Sequence, residues 1–280
     1  MSSLSQRLSC RLASAHLWCV RRSAFMIIAS IILAGLTVSE SALAGDLHDA
    51  VRANDAQRLG GLLDAGQAID ETDFVLGTPL HVAVAQGSVP LARILLSHGA
   101  DLEAPSEDRG TRAIHLATNF GDVDMLTLLL DHGASIEAQD QIGQTALLIA
   151  AATNNPETVQ MLLDHGADHE ARESGKGQTP LMRASALGFL DSAVALVEKG
   201  AEINAVDNAG RSPLMLAATA NSYNSVGDGS LIEFLVTNGA ESDMTDSAGY
   251  TALSFAETSI AAERAYQKIA DTLRKLGASE

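Results

Sequence analysis

The sequence predicts an all-α solenoid of about seven helix–turn–helix repeats behind a short N-terminal leader. Three observations predict it. A Thr/Ser-Pro/Ala-Leu motif recurs, with its apolar third residue at positions 80, 114, 147, 181, 214 and 253. A degenerate first copy has Leu47 followed by His48, so the steps are 33, 34, 33, 34, 33 and 39 residues. A glycine keeps the same time at 66, 99, 133, 166, 200, 239 and 277, with pairs such as Leu95-Leu96, Leu129-Leu130 and Leu162-Leu163 just ahead of it. Self-similarity at one fixed period is the mark of a stacked-repeat architecture. With 46% apolar residues and only 6 prolines in 280, the chain has enough material for a continuous core.

The first 44 residues are built differently. Arg7, Arg11, Arg21 and Arg22 are their only basic residues and Glu40 their only acid. An apolar run of 15 residues, 24–38, follows, too short to span a bilayer comfortably. Ala42-Leu43-Ala44 then supplies a small-x-small cleavage site. A positive end, an apolar middle and Ala-x-Ala together predict a secretory signal peptide cut after Ala44, the alternative being an uncleaved anchor or buried helix. Arg21-Arg22 fits a twin-arginine leader poorly, and no Cys follows the apolar run to support a lipid anchor. Cleavage removes four positive charges and one negative, leaving 14 basic and 34 acidic residues, net −20. It also removes Cys10, Cys19 and Trp18, so packing alone must stabilise the mature domain, without disulfides.

Within each repeat the residues dictate their own local structure. Thr or Ser before Pro is an N-cap followed by proline at the first helical position, where its missing N–H does no harm. The Leu-x-x-Ala-Ala stretch after it makes a short first helix whose small residues allow close neighbours. A turn around Gly87, Gly121 or Gly188 reverses the chain into a second helix carrying the leucine pair. That helix ends at the marker glycine, which suits a left-handed C-terminal position. Ala-Asp-Leu-Glu-Ala, Ala-Ser-Ile-Glu-Ala or Ala-Glu-Ile-Asn-Ala then leads into a glycine-containing finger turn.

Thr78-Pro79-Leu80-His81-Val82-Ala83 and its copies resemble the ankyrin repeat family, whose signature is Thr-Pro-Leu-His-x-Ala at a period near 33. The resemblance covers about residues 45–278, in repeats near 45–72, 73–106, 107–139, 140–173, 174–206, 207–245 and 246–280. Departures are local. Arg112-Ala113 replaces Thr-Pro in repeat three and weakens its N-cap, and Asn154 stands where the family prefers Gly. The motif-to-glycine distance grows to 25 residues in repeat six and 24 in repeat seven, against 19 before. The repeat-six insert, residues 221–230, is turn-like, whereas residues 259–267 are expected to lengthen helices. Arg264, Lys268, Arg274 and Lys275 give the last repeat the polar outer face of a solenoid cap.

Composition and motifs narrow the chemistry. A net charge of −17 disfavours nucleic acid and anionic membranes, which need a basic field. Nucleophile elbow, P-loop and dinucleotide fingerprints are absent from the sequence, and cleavage would leave no Cys nucleophile. The acidic pairs recur with the repeat period and read as a solvated face. His48, His81 and His115 hold the motif position and are expected to bond finger-turn backbone. His98, His132 and His165 form a ladder at a spacing of about 8–10 Å, too wide for a shared zinc. Gly166 denies His165 and His169 the helical face of a zincin. The sequence therefore predicts no enzyme, cofactor or metal.

What the resemblance implies instead is a partner-binding face made of finger tips and concave first helices. Carried over residue by residue, it comprises Phe74, Val75 and Gln86; Asp108, Arg109, Asn119 and Phe120; Gln141, Ile142, Gln144 and Thr153; Lys176, Gln178 and Leu187; Asn208 and Arg211; and Tyr250. Its aromatic and arginine content is of hot-spot type. Arg183 breaks an apolar column of Val82, Leu116, Ile149, Leu216 and Phe255, so it needs a carboxylate partner or must reach water. With Arg109, Lys176 and Arg211 it makes either a local positive strip or scattered solubilising charge. The expectation is a monomeric, non-enzymatic protein-binding scaffold in the bacterial envelope, placed in the periplasm by its leader, or secreted. Its partner is a protein, with no nucleic acid and, after cleavage, no membrane. An immunity-type inhibitor occluding a toxin or enzyme active site is the second expectation.

Overall fold

A computed structural model describes residues 46–73, 77–107, 109–219, 229–258 and 264–278. The expected leader, Phe74, Val75, Asp108 and residues 221–228 of the repeat-six insert lie outside the described residues. Within the described residues there are fourteen α-helices and no strand, in seven pairs. The pairs are α1 (Asp46–Arg52) with α2 (Ala56–Asp64), α3 (Pro79–Ala85) with α4 (Val89–Ser97), and α5 (Ala113–Phe120) with α6 (Val123–Asp131). They continue with α7 (Ala146–Ala151) and α8 (Pro156–Asp164), α9 (Pro180–Leu187) and α10 (Leu190–Glu198), and α11 (Pro213–Ala218) and α12 (Ser230–Thr237). The last pair is α13 (Ala252–Thr258) and α14 (Arg264–Lys275). At 12 residues α14 outlasts the 8- and 9-residue second helices before it; of residues 259–267, expected to lengthen helices, 259–263 lie outside the described residues. No helix among the described residues is long and apolar enough to cross a membrane.

Helix ends follow from the motif. Thr145, Thr179 and Ser212 accept a backbone N–H three residues on, from Leu148, Met182 and Met215. Asp122 and Asn155 do the same for the second helices α6 and α8. All seven marker glycines have positive φ, where a β-carbon is strained. Asn154, in the turn between α7 and α8 where other repeats place Gly87, Gly121 or Gly188, is also left-handed at φ 52°, which asparagine tolerates better than other side chains.

Each first helix packs on its partner second helix and on the first helix of the next repeat, and second helices stack likewise. The core is therefore continuous, not divided into cells. Leu80, Ile114, Leu147 and Leu181 from first helices and Leu95, Leu129 and Leu162 from second helices are each at most 1% exposed. Alanines 83, 117, 150, 184 and 217 line the first-helix row, and side chains this small permit close approach.

A polar ladder registers one repeat on the next. Asp70 accepts from the Asp101 N–H at 2.9 Å, Glu103 from Ser135 at 2.8 Å and Glu137 from Asp168 at 2.8 Å. Glu170 accepts from Glu202 at 2.7 Å and Asn204 from Glu241 at 2.9 Å. The periodic carboxylates expected as a solvated face thus also join neighbouring repeats.

Candidate binding face

The finger turns hold one another through their backbones. Gln141 N–H donates to the Arg109 carbonyl at 3.0 Å, and Ser174 to Ile142 at 3.0 Å. Asn208 donates to Lys176 at 2.9 Å, and Ser247 to Ala209 at 2.9 Å. Close approach depends on glycine: a β-carbon on Gly143 would lie 2.2 Å from Ser174 Oγ, and one on Gly177 2.5 Å from Asn208 Oδ1. The tips form a row whose main chain is fixed and whose side chains are presented.

Histidine and arginine secure the row's base. Buried His48 and His81 each engage a backbone carbonyl of the next repeat through Nε2, at Gly77 (2.9 Å) and Thr111 (2.9 Å), and buried His115 engages Ala138 at the end of its own repeat (2.8 Å). Arg112 N–H donates to His115 Nδ1 at 3.0 Å, so Nε2 carries the proton and the ring is neutral. Burial pushes the His115 pKa below its ordinary value, against the pull of the Ala138 carbonyl. This is the structural role the sequence predicts for the motif histidines. Later repeats have Leu148, Met182 and Met215 there, and Arg172, at the end of repeat four, substitutes for the histidine missing at Met182. Its Nη1 donates to Gly177 O and Val206 O, both at 2.8 Å.

The predicted residues divide into two groups. Gln86, Arg109, Asn119, Phe120, Gln141, Ile142, Lys176, Asn208 and Tyr250 are exposed, while Gln144, Thr153, Leu187 and Arg211 are half-buried. Phe120, Ile142 and Tyr250 are 45%, 52% and 47% exposed. Tyr250 leans on Phe255 with ring centroids 5.7 Å apart.

Two positions are engaged within the fold. Gln178 is buried, and its Nε2 reaches Asp207 at 3.4 Å, so it supports a finger instead of offering a contact. Arg211 commits Nε and Nη2 to Asp207 at 3.0 and 2.7 Å, because that carboxylate is sealed beneath the finger and needs a cation. Burial alone would raise the Asp207 pKa, but Arg211 and the backbone N–H donors outweigh it and hold it below the usual range. Sequence reasoning missed Val206, 39% exposed beside the sixth finger. Its signal was an apolar residue in a column that otherwise reads Thr72, Pro105, Gln139, Arg172 and Thr245.

The ladder histidines have their own ring bonds. His98, His132 and His165 each set Nδ1 2.8 Å from the carbonyl four residues back. Among the described residues no group of three or more His, Cys, Asp or Glu is placed to hold a metal.

Fold and face define a repeat solenoid of the protein-interaction class. A family model described as ankyrin repeats matches residues 47–140 and 136–207, more than half of the chain, and the chain belongs to the ankyrin repeat family. The ankyrin repeat domain of Bcl-3, described as a unique member of the IkappaB protein family, superposes with a TM-score of 0.69 at 30% identity. That match covers 82% of this chain and 98% of Bcl-3's. A Caenorhabditis elegans homologue of transient receptor potential cation channel subfamily A member 1 is 32% identical over 188 residues, 67% of this chain. A fowlpox virus protein, FPV240, described as a putative ankyrin repeat protein, is 37% identical over 65 residues, 23% of this chain. The chain spans only 15% and 16% of the length of these two relatives. Ankyrin repeats are protein–protein interaction modules, typically without catalysis.

Proposed function

We propose that this protein is a non-enzymatic scaffold of the bacterial envelope that holds a partner protein against the finger tips and concave first helices of repeats three to six. One observation carries the reading: Phe120 at the end of first helix α5 and Ile142 at the fourth finger stand exposed on a strongly acidic chain, and Tyr250 repeats the pattern at the finger of repeat seven. Exposed aromatic and aliphatic anchors beside polar groups are the usual centre of a protein interface. The fixed backbone of the finger row adds preorganisation, which lowers the entropy cost of docking.

The envelope assignment rests on residues 1–44, whose charge, apolar run and Ala-x-Ala site suit a cleaved leader. The mature protein then begins at Gly45 and, having lost Trp18, gives no tryptophan emission. Intact mass from an envelope fraction checks this, and retention of residues 1–44 contradicts it.

A pull-down from periplasmic extract tests the function. The wild-type protein should retain a specific partner that the double variant Phe120→Ala/Ile142→Ala does not. Equal recovery by both, or no specific partner, contradicts the proposal. If the partner is an enzyme whose activity falls on binding, the chain acts as an inhibitor.

A further inference from the structure

One cation on the proposed face is not consumed by the fold. Arg183 sits on α9, between the first helices α7 and α11, in a column otherwise filled by Val82, Leu116, Ile149, Leu216 and Phe255. It is half-buried, and its Nε is sealed from solvent without a hydrogen-bond partner. Among the described residues it makes no hydrogen bond and no ion pair within 4.0 Å. Its terminal nitrogens are not among the sealed unpartnered atoms, so they reach the surface.

The carboxylate within electrostatic reach is Glu173, only 9% exposed. Glu173 is already occupied. Its Oε2 accepts from Gly175 N–H at 2.8 Å, and its Oε1 from Lys176 and Gln178 N–H at 2.5 and 3.5 Å. Glu173 thus balances the charge of Arg183 across a gap but leaves its fork of donors unfilled. A guanidinium fork matches the two oxygens of a carboxylate, and such charge-assisted pairs are strong where water is restricted.

The local sequence is basic on an otherwise acidic chain. The whole chain carries −17, yet residues 172–183 hold three basic side chains, Arg172, Lys176 and Arg183, against the single acid Glu173. Lys176 is exposed at the finger tip. Leu187, one helical turn beyond Arg183, and Ile149 on the preceding repeat are half-buried apolar neighbours. Opposite charge at one place on a repelling surface selects partner and register more than it adds bulk affinity.

We propose that Arg183 is the anchor for an Asp or Glu side chain of an acidic, partly apolar segment of the partner protein, received by its terminal nitrogens beside Lys176. This rests on the reading of the finger and concave surface as the binding face. It names the chemistry of the partner.

The test pans a library of random peptides on the purified protein and on its variants. The wild type should enrich peptides with Asp or Glu beside apolar residues, and changing that acid to its amide should weaken binding at least about tenfold. Arg183→Glu should turn the enrichment towards Lys and Arg. Arg183→Leu, which matches its column, should lose the acidic preference and melt no lower than wild type. Arg93→Glu, on second helix α4, should select as wild type does. An acidic preference that survives Arg183→Leu overturns the proposal, as does displacement of every peptide by free acetate or phosphate. A melting temperature several degrees lower for Arg183→Leu marks an internal strut and overturns it too. Absence of acidic preference, with peptides still weakened by Phe120→Ala or Ile142→Ala, sinks the Arg183 assignment but leaves the face standing. Peptides indifferent to Phe120→Ala and Ile142→Ala sink the face itself.

Discussion

Leu129 and Leu162 are fully buried, in the second helices of adjacent repeats. Truncating either to Ala should cost about 2–5 kcal/mol, because the lost transfer energy is joined by a cavity. Chemical denaturation measures it, and a change below about 0.5 kcal/mol would place the residue at the surface. His115 gives the residue scale a pH signature. Its folded pKa lies below the ordinary 6.5, so the unfolded chain binds its proton first and folding favours the neutral ring. Stability from this group is complete above 6.5 and is lost as pH falls through the depressed folded value. Asp207 and Glu173, also depressed, add loss only when pH falls below their ordinary 3.8 and 4.5. Exposed His98, with its pKa raised chiefly by the Ile94 carbonyl, works in the opposite sense. Melting temperature should therefore begin to fall just below pH 6.5 and fall further below 4.5. His115→Asn should flatten the first part, and an unchanged profile would contradict the assignment.

At the scale of the element, the finger is the unit that links fold to function. Gly143 combines a φ of 74° with a prospective 2.2 Å contact to Ser174. Gly143→Ala should cost about 1–2 kcal/mol in stability and misplace the fourth and fifth tips. A neutral result would show that the tips do not depend on their mutual backbone bond. The same element shows how far the sequence could be read. Helix pairs, caps and the turning glycines were legible because each follows from residue type at a fixed period. The column of Arg183 announced a need for a carboxylate or a path to water. It did not name Glu173, which lies ten residues earlier in a finger whose path depends on its own buried acid. Gln178 misled for a similar reason: its column runs from half-buried Gln144 and Arg211 to exposed Tyr250, so position alone does not fix burial. Arg172 was illegible because its task appears only once Met182 has displaced the motif histidine.

For the whole molecule, a solenoid joins neighbours only, so stability is a sum along the stack while binding is spread across its face. In the proposed function a protein partner docks on the finger and concave side of repeats three to six. Affinities of single variants for the captured partner, measured calorimetrically, test it most directly. Phe120→Ala, Ile142→Ala and Lys176→Ala should each weaken binding, with the anchors among them costing about 1–2 kcal/mol or more and folding unchanged. Arg93→Ala and Gln160→Ala, on second helices α4 and α8, should bind as wild type does. If the three face variants bind normally and deletion of residues 221–228 abolishes binding, the repeat-six insert is the recognition element and the account of the face is wrong.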